Sequence, residues 1–261
     1  DDTIDIIPLS FLSVFFGKGG KPVVNFANMC NQWTGQFAGT NLANCSFMAS
    51  DIQKCQAKGK IVTISLGGSD GQVGFSSPAE AAGFAKTVWD MFLEGSLRPF
   101  GTAILDGVDL NIETGSPAYY TNFVNALRAL SDNSGKRYYV TAAPQCPFPD
   151  QKIGYALNHA FFDAVYVQFY NNYCQISAPN VSINQSLRST DNWAKTQSLN
   201  KAVKVYLGAA AARGVAGHLS SQALITVARD TQKKYSSFGG VMLWDADTAY
   251  SKIIVSPSIY F

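Results

Sequence analysis

The sequence predicts an α/β protein built on a parallel sheet, and three observations carry that prediction. Short apolar runs recur along the chain, and several are continuous rather than alternating, as in strands covered on both faces. Amphipathic segments of helical period lie between them. Polar residues gather where the runs end, and that edge carries the site in barrels and open α/β sheets alike.

Taken in order, the strand candidates are Ile6 to Leu12, Ile61 to Leu66, Ile104 to Ile112, Tyr138 to Ala142, Ala164 to Phe169, Val203 to Leu207 and Val241 to Trp244. The clearest helix candidates are three. Pro78 to Leu93 has Ser77 as N-cap and Glu80 three residues on. Ser116 to Leu130 carries Phe123, Leu127 and Leu130 on one face, and Leu219 to Tyr235 follows the same pattern. Seven strands leave a choice: a closed barrel needs an eighth, whereas a doubly wound sheet is complete with fewer. No linker rich in Pro, Gly or Ser divides residues 1–261, which read as a single domain.

Composition removes several classes of function. At 47% hydrophobic and 15% charged the chain is neither disordered nor strongly basic, and with 20 basic against 18 acidic residues no stripe suits nucleic acid. No apolar stretch approaches the roughly 20 residues of a membrane helix. The start, DDTIDIIPLS, has no initiator Met or basic n-region, so a signal peptide is read as already removed. The five cysteines lack C-x-x-C spacing, and only His159 and His218 could join them, so no metal is expected. LGGSDGQVG lacks the Gly-Lys-Ser/Thr ending of a phosphate loop, and no cofactor is expected. Sequons at Asn44, Asn180 and Asn184 and the aromatic-rich composition point to a secreted protein, extracellular or associated with the cell wall.

The polar clusters are Ser65 with Gly67 to Ser69, Asp109 to Glu113, Gln145, Gln168 with Tyr170 to Asn172, and Trp244 with Asp245. In DGVDLNIE, residues 106 to 113, Asp109, Asn111 and Glu113 are two apart and share one side of a strand. Burying such groups idly costs about several kcal/mol unless each is hydrogen-bonded or protonated. Neighbouring carboxylates raise one another's proton affinity, which suits a general acid that protonates a glycosidic oxygen. Glu113, last in the run, is best placed to reach a ligand.

This segment resembles the D-x-x-D-x-D-x-E signature of the family 18 glycoside hydrolases, the retaining chitinases, at Asp106, Asp109 and Glu113; it departs at Asn111. IVTISLGG at 61 to 68 is similar to the family's SxGG strand and GGVMLWD at 239 to 245 to its final strand. YYVTAAPQCPFPD at 138 to 150 and VQFYNNYC at 167 to 174 resemble the hevamine-like plant and fungal branch. The resemblance implies a TIM (β/α)8 barrel, with DIIPLSFLSVFFG matching the second strand and the first strand absent. A chain truly short of that strand would expose sheet edges and associate; otherwise the family implies a monomer. It also implies disulfides Cys30 to Cys45 and Cys146 to Cys174, with Cys55 left alone.

For function the resemblance implies an endochitinase that binds chitin or N-acetylglucosamine oligomers. The substrate's 2-acetamido carbonyl is the nucleophile, and Glu113 is the acid and later the base. Asn111 holds the place of an aspartate that orients the acetamido group, with Asp109 behind it. Tyr170 matches the tyrosine that bonds the acetamido oxygen. Gln168, Trp244, Phe11, Gly68, Asn171 and Asp106 are expected to bind substrate. An asparagine cannot supply the charge that offsets the oxazolinium, so this chain is expected to be impaired, or to be a chitin-binding protein without turnover.

Overall fold

The computed structural model describes residues 3–94, 99–176 and 181–253; the Asn180 sequon lies outside them, and Asn44 and Asn184 are exposed. The eight strands, alternating with helices, have the (β/α)8 TIM-barrel fold. The chain forms two compact units, Asp1–Thr141 and Ala142–Phe261.

In the first unit, β1(Ile6–Val14) is followed by β2(Val23–Val24), α1(Ala49–Ala57), β3(Ile61–Gly68), α2(Pro78–Val88), β4(Gly107–Ile112) and α3(Tyr120–Ser131). β1 runs parallel to β3, and β3 to β4, as expected of the segments 6 to 12, 61 to 66 and 104 to 112. All six residues of β4 are buried, which is why its sequence runs apolar on one side and holds its polar groups on the other. Ser77 caps α2 by accepting the Glu80 N–H at 3.1 Å, and the Glu80 carboxylate reaches back to the Ser76 N–H at 2.6 Å. The helix ends in a single wider turn, Trp89–Leu93, that buries Trp89, Met91, Phe92 and Leu93. Phe15, Phe75, Phe84 and Phe123 stack between α2, α3 and the end of β1, with Phe15 and Phe84 ring centroids 4.4 Å apart.

The second unit contains α4(Gly154–His159), β6(Ala164–Gln168), α5(Val181–Thr196), β7(Lys204–Ala210), α6(Ser221–Lys234), β8(Phe238–Trp244) and α7(Ala246–Ile253). β5(Tyr139–Ala142) carries the junction. β6, β7 and β8 pair in parallel.

All seven strand candidates are strands, and several strand and helix boundaries move. β4 starts at Gly107, not Ile104. α3 starts at Tyr120, not Ser116, because Tyr119 sits in the left-handed region at φ 68° and breaks the helical run. β8 starts at Phe238: the Gly239-Gly240 pair lies beneath the Tyr206 ring, and a register shift there leaves Gly239 as an extra residue on β8. The expected absence of a first strand is corrected: the sheet has eight strands, opening with Ile6–Val14. The eighth escaped the sequence reading because it is only Val23–Val24, folded back antiparallel onto Leu12 and Val14 by the turn at Lys18–Gly20. The disulfides are Cys30–Cys45 and Cys146–Cys174, each with Cα atoms 5.9 Å apart, and Cys55 is free, as expected.

Candidate active site

The site is built where β3 and β4 end. Parallel register sets Thr63 beside Gly107, Ser65 beside Asp109 and Gly67 beside Asn111. Small residues on β3 thus leave room for the polar side chains of β4. Asp109 is 2% exposed and receives two hydroxyl donors, Ser65 Oγ at 2.6 Å onto Oδ2 and Thr141 Oγ1 of β5 at 2.8 Å onto Oδ1. Burial pushes the Asp109 carboxyl above the ordinary carboxylate range, and the two hydroxyls only partly oppose it. Asn111 is 6% exposed, and Glu113, just past the strand, is half-buried. The polar groups on this side of β4 therefore run from enclosed to accessible toward the chain's exit from the strand.

Two glycines are dictated by this packing. At Gly67, with φ 111°, a Cβ would stand 2.2 Å from the Asn111 carbonyl oxygen. At Gly68, with φ 88°, it would stand 2.8 Å from the Phe11 ring. Phe11, half-buried on β1, is therefore seated on the Gly68 backbone and is fixed further by paired backbone bonds with Asn25 at 2.8 and 2.9 Å.

Asp106 stands apart from the groups on this side of β4. It precedes β4, at the end of the strand away from Glu113, and its carboxylate accepts the Val62 N–H at 2.8 Å, Gln56 Nε2 at 2.9 Å and the Lys136 ammonium at 2.7 Å. That side chain ties α1, β3 and β4 together.

In the second unit, Gln168 is buried at the end of β6, donating to the Ala143 carbonyl at 2.8 Å and accepting from Gln145 Nε2 at 3.4 Å; Asn172 donates to Gln145 Oε1 at 3.3 Å. This amide chain sets the loop that bears Tyr170 and Asn171. Tyr170 is 6% exposed, with the Gly217 backbone close behind it. Asn171 adopts φ 51°, a conformation asparagine tolerates, and its N–H bonds the Ala216 carbonyl at 2.7 Å. Trp244 closes β8 and is 38% exposed.

The sequence reading missed Thr141. Its signal was a lone polar residue inside the apolar YYVTAA run, where burial on both faces leaves a hydroxyl nothing to do but bond a neighbour. Among the described residues no group of His, Cys, Asp and Glu is arranged to hold a metal, and no helix is long and apolar enough to cross a membrane.

Known proteins can now be set beside this geometry. Chitinase 2 of Rhizopus oligosporus is 46% identical over 253 residues, which are 95% of this chain and 45% of that protein. The chain spans about half the length of such curated relatives. Among solved structures, the ICChI chitinase of Ipomoea carnea superposes with a TM-score of 0.81 at 36% identity, covering 97% of this chain and 90% of the other. A xylanase and α-amylase inhibitor protein, XAIP-I, superposes at 0.78 with 31% identity, covering 95% and 85%. The sequence profile described as Glycosyl hydrolases family 18 matches residues 21–235, most of both units, and the chain belongs to that family.

Proposed function

We propose that this chain is the catalytic-type domain, residues 1–261, of a retaining endochitinase of the hevamine-like branch, and that Asn111 strongly impairs it. The observation that carries the reading is β4 itself. Asp109, Asn111 and Glu113 keep strand spacing, Asp109 is buried between two hydroxyl donors, and Glu113 stands at the accessible end.

In this reading Glu113 donates its proton to the glycosidic oxygen as that bond breaks. The substrate's acetamido oxygen forms the new bond to the anomeric carbon. Water then opens the oxazolinium after losing a proton to Glu113, which restores the acid. Asp109, held above the usual carboxylate range, is suited to share a proton with a carboxylate at position 111. Asn111 can accept a hydrogen bond but supplies neither that proton exchange nor the negative charge. The resemblance gives Tyr170 the acetamido oxygen, and Trp244 the floor beneath the sugar. Phe11, Gly68, Gln168 and Asn171 take supporting contacts. The protein acts as a secreted, extracellular or wall-associated monomer on chitin or its oligomers, without a cofactor.

The second reading, a chitin-binding protein without turnover, is favoured by the same Asn111. Turnover and binding of a chitin tetramer, measured side by side, separate the two. Asn111→Asp should raise the cleavage rate about a hundredfold or more while changing affinity much less, since the charge is needed chiefly as the oxazolinium forms. If Asn111→Asp stays inert while both forms bind tightly, the binding reading replaces the enzymatic one. If neither binds, the chain has kept the fold without a chitin site, as would suit a protein whose partners are other proteins.

A further inference from the structure

An open groove with about 530 Å³ of empty space, solvent mouth included, lies against the end of β1 and β2. It is lined by Ser13, Val23, Val24, Asn25, Gln32 and Trp33, with Asn31 beside them. Trp33 is 85% exposed, in contrast with Trp89 at 8% and Trp193 at 1%. An indole left almost wholly in water, on a loop of this construction, calls for a use.

The loop is rigid around it. Cys30–Cys45 closes its base, and Cys45 N–H bonds the Pro99 carbonyl at 2.9 Å. Asn31 Oδ1 accepts the Trp33 N–H at 2.8 Å, Asn31 Nδ2 donates to the Ala27 carbonyl at 2.8 Å, and Thr34 Oγ1 accepts the Asn31 N–H at 3.1 Å. The Trp33 backbone is thus fixed before any ligand arrives, which lowers the ordering cost of binding. Asn25 Nδ2 and the Gln32 side-chain amide make no hydrogen bond among the described residues. The lining carries no charge. A flat aromatic face beside uncommitted amides, with no ionic group, matches a neutral ligand having one apolar face and a rim of hydroxyl or amide groups. A pyranose of an N-acetylated glycan has that chemistry.

The groove's wall is tied to the candidate active site by a chain of contacts. Asn25 pairs with Phe11 through two backbone bonds, Phe11 seats on Gly68, and Gly67 stands beside Asn111. We infer that Trp33 is the stacking platform of an outlying sugar subsite, engaged by long chitin oligomers and not by short ones. The inference rests on the chitin reading above and extends it by setting a preference for chain length.

The test compares a chitin trimer with a hexamer by calorimetry on the chain as it stands and on Trp33→Ala and Trp33→Phe. Trp33→Ala should weaken hexamer binding about tenfold while leaving trimer binding within about twofold, with Trp33→Phe between. On the unaltered chain, the hexamer should shield more tryptophan fluorescence from acrylamide than the trimer does, because the hexamer covers Trp33 as well as Trp244, a measurement that needs no variant to fold. Unchanged hexamer affinity in Trp33→Ala, an equal loss for both oligomers, or a hexamer that binds no tighter than the trimer would each overturn the subsite and leave the chitin reading standing. Failure of the unaltered chain to bind either oligomer would overturn both.

Discussion

Asp106 and Asp109 are three residues apart, one just before β4 and one inside it, and the sheet treats them differently. Asp106, before the strand, meets a backbone N–H, an amide and an ammonium group. Asp109, inside the strand, meets only two hydroxyls and no cation among its hydrogen-bond partners, and burial raises its proton affinity. The first carboxylate gathers three donors and works as a fastener. The second is kept in an environment where proton exchange is feasible, with Asn111 and Glu113 further along the same side. In a (β/α)8 fold this division is expected: the end where strands exit carries chemistry, and the opposite end carries stability.

The strongest way to break that comparison acts on the exit end. In the Asn111→Asp background, Glu113→Gln should abolish chitin cleavage, a loss of at least about a hundredfold, with the thermal midpoint nearly unchanged. The same assay on Asp106→Asn should give unaltered turnover per folded molecule. Activity that survives Glu113→Gln would remove the acid from this segment, and a large turnover defect in Asp106→Asn would return that residue to the substrate side.

Next in size is the fastener. Asp106→Ala takes the Asp106 acceptor from the Val62 N–H, on a residue 2% exposed, and leaves Gln56 and Lys136 with only their hydrogen bonds to the Ile104 and Leu105 carbonyls. An unsatisfied buried donor costs about 1–3 kcal/mol, and the partly exposed Lys136 pair adds little. A urea denaturation should show a loss of about 2–3 kcal/mol, most of it recovered in Asp106→Asn, which keeps an acceptor oxygen. A loss in Asp106→Asn as large as in Asp106→Ala would mean that the ion pair, and not the Val62 bond, is what holds.

How much of this could be read from the sequence follows from the range of each interaction. The seven longer strands were legible because burial on both faces writes continuous apolar runs, and the spacing of Asp109, Asn111 and Glu113 follows from the period of two. β2 was illegible because two valines carry no period. The last strand was read only from Val241, because the Tyr206 ring that covers Gly239-Gly240 lies more than thirty residues earlier in the chain. The acidic motif names four positions alike, while the partners that set Asp106 apart, Gln56, Val62 and Lys136, come from elsewhere in the chain. Trp33 escaped notice because exposure is a property of the folded surface, not of the residue.

The smallest effects concern how Asp109 is held. Ser65→Ala or Thr141→Ala removes one hydroxyl donor, and each bond is worth about 1–2 kcal/mol while the carboxylate is charged. Both hydroxyls lower the Asp109 pKa, so either change should raise it further and should cost more at neutral than at acid pH. Asp109→Asn tests the sign directly. Because burial raises the folded pKa, the folded state holds the proton more tightly than the unfolded chain does. Its contribution is complete below the ordinary carboxylate value and is lost as pH rises through the folded pKa. Asparagine can accept one hydroxyl and donate to the other, and it has no proton to lose. Measured by urea denaturation from about pH 4 to about pH 8, the stability of Asp109→Asn relative to the unaltered chain should therefore climb with pH and then level off. A difference that instead falls with pH would show that the two hydroxyl bonds outweigh burial, and that Asp109 is an ordinary anion not suited to proton exchange.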